Sequence, residues 1–288
     1  MTIEYYREQL LAKEDMLART TRYLLETKED LIKKSDLIKG VNHSLFESIR
    51  FANLIQTALL PDVSVLKDKV KDATYRVMNQ IGIGGDAIFM KETGDSITFG
   101  LLDATGHGIP AAMLSISSLM ILAELLATPV PKSPGDIITE LHERLHSTFN
   151  QHHSIAHLEG TLCQYFPDEN LLYYCSAKGK GIQITSDGEL KDLHFSNHSI
   201  GEDLQAKYEV HMLNYSPGDT LFLYSDGLTD QFGGIRDKKF SRRRLKDLLM
   251  ANREHPASEL AEIISGLHEE WKGDNEQTDD LSFMILSF

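Results

Sequence analysis

The first sixty residues hold a single glycine, Gly40, and the first proline is Pro61. Leu10, Leu17, Leu24, Leu31, Ile38 and Leu45 recur every seven residues, and Leu59 keeps the phase. An apolar heptad over a stretch with one glycine and no proline is half of a coiled-coil signature. The other half is poor: the positions three further on include Lys13, Thr20, Thr27 and Lys34, while Leu11, Leu25, Ile32 and Phe46 lie beside the seam. This pattern predicts a long amphipathic helix over 1–60, with Gly40 as the point where it would break. At 1.5 Å per residue it would run about 90 Å, too far to pack on one small domain. Self-association is the natural way to bury a one-sided stripe. We therefore expect 1–60 to be a coiled-coil-like dimerisation and regulatory region that makes the chain a homodimer. The competing readings are a helix folded back on its own domain, or one that needs a partner such as an upstream sensor domain.

Beyond about residue 70 the period changes. TYRVMNQIG, DAIFMKE and SITFGLLDA read as strands, the last two joined by a turn at TGD, 93–95. The apolar helix IPAAMLSISSLMILAELLA and the helix SPGDIITELHERLHSTFN follow, the second with Ser133 as N-cap and Pro134 at its first position. EGTLCQYF, LLYYCSA, GIQITSDG, YEVHML and DTLFLYSDG are strands, SRRRLKDLLMAN and ASELAEIISGLHEEWKG helices, and DLSFMILSF a closing strand. Strands, a helix pair, strands, a helix pair and a last strand indicate an α+β fold over 61–288, with two sheets covered by helices.

The helix over 109–127 is long enough to raise the question of a membrane, but Glu124, several serines and the lack of basic flanks favour a buried core helix. A formal net charge of −14 argues against nucleic acid and against anionic membrane surfaces. The opening MTIEYYREQLLAKED is charged and helical rather than a secretory signal, and there are only two cysteines, so a reduced, cytoplasmic setting is expected. Pairing Phe166 with Leu171 across the PDEN turn places Cys163 opposite Tyr174, not opposite Cys175, so register implies no disulfide.

Four acidic sites stand at strand ends: Asp86 in GIGGDA, Asp103 in LLDATGHG, Asp226 in FLYSDG, and Asp279 with Asp280 in EQTDDLS. Any one of them reads as turn chemistry. Four at the ends of apolar strands read differently. If those ends share a rim, the carboxylates repel and shift one another's pKa. The physical remedy is one or two divalent cations, and a two-metal carboxylate site suits phosphoester hydrolysis.

In order and spacing, GIGGD, LLDATGHGIPAAM, PGDTLFLYSDGLTDQFGG and TDDLSFMIL resemble the PPM family of metal-dependent Ser/Thr protein phosphatases, and more closely its bacterial SpoIIE-type branch. SIRFANLIQTALLP resembles the segment that precedes such domains, so the likeness covers about 45–288. It implies an αββα sandwich, two antiparallel sheets between helix pairs, with two Mn2+ or Mg2+ ions at one edge. Asp86 would bridge both metals. Asp103 would serve one, directly or through water, helped by the carbonyl of Ala104. Asp226 and Asp279 would hold the second, with Asp280 as an outer or third-metal ligand. The implied reaction is attack of a metal-activated water on phosphoserine or phosphothreonine of a partner in bacterial signalling. The implied partner is a STAS-domain regulator such as an anti-sigma-factor antagonist. The chain departs from the family at Ala87 and Phe89, where relatives carry an aromatic residue and a second Asp, and at SAKGKG (176–181), where relatives carry Asn-Ala-Gly-His. Lys178 or Lys180 would steer substrate phosphate there, or else be solvated turn lysines.

Two other functional readings stand beside this one. One is a phosphatase-like scaffold of weak or no activity. The other is a nucleotide cyclase, which the Gly-Gly-Asp stretch suggests but the Ala87-Ile88 continuation does not. His107 lacks the partners of a catalytic triad and reads as a loop residue. His152, His153 and His157 match no standard zinc spacing. The basic run 238–246 is either a docking element or a solvated helix start.

Overall fold

The computed structural model describes residues 2–128, 132–149, 156–203 and 205–288. The chain divides into two compact units, Met1–Phe51 and Ala52–Phe288. One helix, α1 (Thr2–Ala58), makes up the first unit and enters the second. It runs through Gly40 without a break, where an added Cβ would meet open space. A helical glycine costs about 1 kcal/mol relative to alanine, too little to end a helix of this length. The seam residues Leu10, Leu17, Leu24, Leu31, Ile38 and Leu45 are all exposed.

The second unit is a four-layer sandwich. Its strands are β1 (Asp72–Met78), β2 (Ala87–Thr93), β3 (Ser96–Ala104), β4 (Leu158–Phe166), β5 (Leu171–Ala177), β6 (Lys180–Ile184), β7 (Leu190–Asp192), β8 (Val210–Met212), β9 (Thr220–Tyr224), β10 (Phe232–Gly233), β11 (Lys238–Lys239) and β12 (Leu281–Ser287). One antiparallel sheet has the order β1-β12-β9-β6-β7 and the other β2-β3-β4-β5-β8, while β10 and β11 form a small hairpin. The helices are α2 (Ile109–Leu125), α3 (Pro134–Phe149), the single turn α4 (Gly227–Asp230), α5 (Arg242–Ala251) and α6 (Ala257–Lys272).

Strand alternation builds three apolar layers. Leu221 and Leu223 of β9 face Phe99, Leu101, Cys163 and Tyr174 between the sheets. Their neighbours Phe222 and Tyr224 face the other way, onto Leu245, Leu249, Leu260 and Ile264 of α5 and α6. On the opposite side Leu102 and Leu162 pack against Leu122, Ile137 and Leu141 of α2 and α3. Both faces of each sheet are therefore buried, which is why the central strands read as nearly continuous apolar runs. Truncating one fully buried aromatic such as Phe222 would cost about 3–5 kcal/mol.

The local expectations hold in detail. Phe166 pairs with Leu171 and Cys163 with Tyr174. Both cysteines are buried and free, and they belong to different apolar layers. The Ser133 hydroxyl accepts from the Asp136 amide at 3.2 Å and donates to its carboxylate at 2.7 Å, capping α3. The helix α2 buries Ala111, Leu114, Leu119, Leu122 and Leu125, and Glu124 pairs with Arg144 of α3 at 2.9 Å. Among the described residues no helix is long and apolar enough to cross a membrane. Of the histidine cluster, His152 and His153 lie outside the described residues.

Candidate metal centre

The strand ends do meet. Asp86 immediately precedes β2, and Asp103 is the penultimate residue of β3, which pairs with β2. Asp226 follows β9 as the N-cap of α4, and Asp279 and Asp280 lead into β12, which pairs with β9. Two of these acids come from one sheet and three from the other, so the acidic rim spans the edge of the sandwich.

Close backbone approaches fix this rim, and glycines permit them. A Cβ on Gly227 would stand 2.0 Å from the Asp280 carbonyl oxygen, and one on Gly85 2.6 Å from the Ala104 carbonyl oxygen. Ala104 N–H donates to the Gly85 carbonyl at 3.2 Å, which locks the loop bearing Asp86 to the end of β3. Asp280 ties the two sheets together: its Oδ1 accepts from Gln80 N–H at 2.8 Å and its Oδ2 from Gly85 N–H at 2.7 Å. Behind the loop, the Gln56 amide donates to the Gly84 carbonyl at 2.6 Å and accepts from Gly84 N–H at 3.2 Å.

Asp86 is 3% exposed. Its Oδ2 accepts from the Ser225 hydroxyl at 2.7 Å, and its Oδ1 is buried with no hydrogen-bond partner. Burial pushes its carboxyl up to about 8; the Ser225 and Ser282 hydroxyls oppose this, and the Asp280 and Asp226 charges add to it. Burial also raises Asp103 well above the usual carboxylate range, with help from Asp86, Asp226 and Asp279 and against the charge of Lys180. Asp279 and Asp280 are raised by burial as well. The Asp280 amide donates to Asp279 Oδ1 at 2.8 Å.

A cation enters this group. Lys180 Nζ stands 3.5 Å from Asp226 Oδ2 and 3.6 Å from Glu159 Oε2, and Glu159 is the β4 partner of Asp103. Burial disfavours its charge, but Asp226, Glu159 and Asp103 outweigh that and raise its pKa. Lys178 instead donates to the Ser199 hydroxyl at 2.8 Å and pairs with Glu202 at 3.3 Å. His107 is exposed on the loop after Asp103, on the side of Asp279 and Asp280.

The residues fit a divalent cation by chemistry: hard oxygen donors, a surplus of negative charge, and a buried carboxylate oxygen at Asp86 without a partner. Among the described residues, no three His, Cys, Asp or Glu side chains converge into a ready cage. The carboxylates form an open rim, with Ala104 placed by its carbonyl beside Gly85. The sequence reading missed Ser225, Glu159, Gln56 and Asp280's two amide bonds. Only Ser225, adjacent to Asp226 in SDG, carried a local signal.

Comparison with known proteins bears on the family and the fold. Residues 93–288 match the family described as stage II sporulation protein E (SpoIIE). The chain is 23% identical over 192 residues to the phosphoserine phosphatase RsbP of Bacillus subtilis strain 168, covering 65% of this chain. It spans less than half of that relative's length, 44%. The PP2C domain of SiaA from Pseudomonas aeruginosa superposes with a TM-score of 0.78 at 24% identity, over 86% of this chain and 98% of that one. RsbX in complex with magnesium superposes with a TM-score of 0.54 at 18% identity, over 75% and 94%.

Proposed function

Because the chain belongs to the SpoIIE family of PPM-type serine/threonine protein phosphatases, we propose that it is a metal-dependent phosphoprotein phosphatase of bacterial signalling. The observation that carries this reading is the buried, partnerless Oδ1 of Asp86 at the centre of a rim of like charges. Such an arrangement is costly unless a cation completes it.

Asp86, Asp103, Asp226, Asp279 and the Ala104 carbonyl would hold two divalent cations, Mn2+ or Mg2+. When bound, these ions supply Lewis acidity for in-line attack of water at phosphorus. The protein's own groups prepare the place. Ser225 fixes one oxygen of Asp86, and the other, with the Ser282 hydroxyl nearby, makes no hydrogen bond. Asp280 holds the Gly85 amide, so its role is to brace the loop rather than to face the substrate. Gln56 braces the same loop at Gly84. RsbP, a phosphoserine phosphatase, supports phosphoserine or phosphothreonine as substrate. A phosphorylated STAS-domain regulator is the partner this reading favours, in the cytoplasm. The exposed heptad of α1 supports a homodimer formed through residues 1–60, with 61–288 as the phosphatase domain. The Gly-Gly-Asp stretch lies within a PPM sandwich, which removes the basis for a cyclase.

The test is release of phosphate from a phosphoserine peptide with Mn2+, and its loss in Asp86→Asn. A folded wild-type protein with no Mn2+-dependent release would favour the scaffold reading.

A further inference from the structure

Lys180 is not a solvated turn lysine. It opens β6 and pairs with Tyr224 of β9, two residues before Asp226. Its backbone has no freedom to withdraw. A Cβ on Gly179 would stand 2.4 Å from the Gly160 backbone, and one on Gly181 2.5 Å from Leu193. Its side chain is about one third exposed, and its ammonium lies between Glu159 and Asp226, at 3.6 and 3.5 Å. Lys178, two residues earlier, turns to Ser199 and Glu202. The two lysines of SAKGKG therefore have separate tasks. With side chains 32% and 41% exposed the pair is partly screened by solvent, so displacing the ammonium costs something, though less than breaking a buried pair.

Resting on the reading that Asp226 is a metal ligand, we propose that Lys180 is a built-in competitor of the divalent cation: its ammonium holds Asp226 in the metal-free protein and has to give up that carboxylate before a cation takes it. The pair stabilises the empty rim and lowers its affinity for metal. A cation that binds Asp226 meets an ammonium already there, so occupancy responds to metal concentration over a higher range than the carboxylates alone would set. Glu159 gives the displaced ammonium a second partner, so Lys180 need not leave the rim as an unpaired charge.

The test is calorimetric titration of the full chain with Mn2+ and no substrate, comparing wild type, Lys180→Gln and Lys180→Arg, with the melting temperature of each measured metal-free and with Mn2+. Competition predicts that Lys180→Gln binds Mn2+ about tenfold more tightly, in the usual range of coupling between two ligands of one site. Its metal-free melting temperature falls, and its gain on adding Mn2+ exceeds that of wild type. Lys180→Arg keeps the charge and stays near wild type on both counts. Equal or weaker Mn2+ binding by Lys180→Gln overturns the proposal. So does unchanged Mn2+ affinity combined with a raised KM for a phosphoserine peptide, which would make Lys180 a phosphate-binding group. If wild type itself takes up no Mn2+, the metal-centre reading falls as well, and that result is distinct from a wild type that binds and a variant that binds no better.

Discussion

The acidic rim and the long helix have deficits of opposite kind. At the rim, Asp86 and Asp280 are buried and Asp103, Asp226 and Asp279 half-buried without enough positive charge around them, and burial drives Asp86 and Asp103 away from their ordinary pKa. Along α1, leucines and isoleucines are exposed without an apolar surface to cover them. Each deficit names its complement by elementary physics: a cation in the first case, a second apolar stripe in the second. The sandwich is self-sufficient, with its three apolar layers closed. A fold that completes its own core while leaving these two regions open concentrates its functional information there.

The largest expected effect comes from removing a carboxylate from the rim. Asp86→Asn and Asp226→Asn should each lower Mn2+-dependent turnover by at least about 100-fold, the loss of metal charge stabilisation at the transferring group. Because the Asp86 charge is itself unfavourable without metal, metal-free Asp86→Asn should melt no lower than wild type in a thermal scan. A clear drop in its melting temperature would show that the carboxylate is not in deficit.

The helix is tested next. Leu24→Glu with Leu31→Glu places charge in the exposed seam, and should weaken self-association by at least about tenfold in sedimentation, as loss of an apolar seam implies. The metal-free melting transition of 61–288 should not move. A chain that is already monomeric would break the analogy between the two deficits.

A smaller effect follows from pH. The folded pKa of Asp86 is raised to about 8 from an ordinary value of 3.8, so the folded protein keeps this proton over a range in which the unfolded chain loses it. That stabilisation is complete below the unfolded value and is lost as pH rises through about 8. The metal-free protein should therefore melt progressively lower from pH 5 to pH 8, and saturating Mn2+ should flatten that slope. The smallest effect is expected at His107. It is exposed and outside the brace formed by Ser225, Asp280 and Gln56, so His107→Ala should change turnover by less than about tenfold.

Much of this was legible because it rests on local rules. Period-two alternation and a short turn placed Cys163 opposite Tyr174. Ser133 and Pro134 announced α3, and the strand-end aspartates announced the rim. What stayed hidden depends on contacts between segments far apart in the chain. Asp280 meets Gln80 and Gly85 across roughly the whole second unit, and Gln56 meets Gly84 from the end of α1. Lys180 looked like a turn residue because its neighbours are glycines. Those glycines are there for close packing against Gly160 and Leu193, and that packing is what aims the lysine into the rim. The short elements β7, β10 and β11 carry too few residues for a period to show. Gly40 invited a break that the cooperativity of a long helix does not allow.

The most direct measurement is phosphate release from a phosphoserine peptide by wild type and Asp86→Asn, each stripped with chelator and then supplied with Mn2+. The account predicts negligible release from stripped wild type, recovery on adding Mn2+, and no recovery in Asp86→Asn despite an unchanged fold. Release by the stripped protein, or equal recovery in the variant, would contradict it.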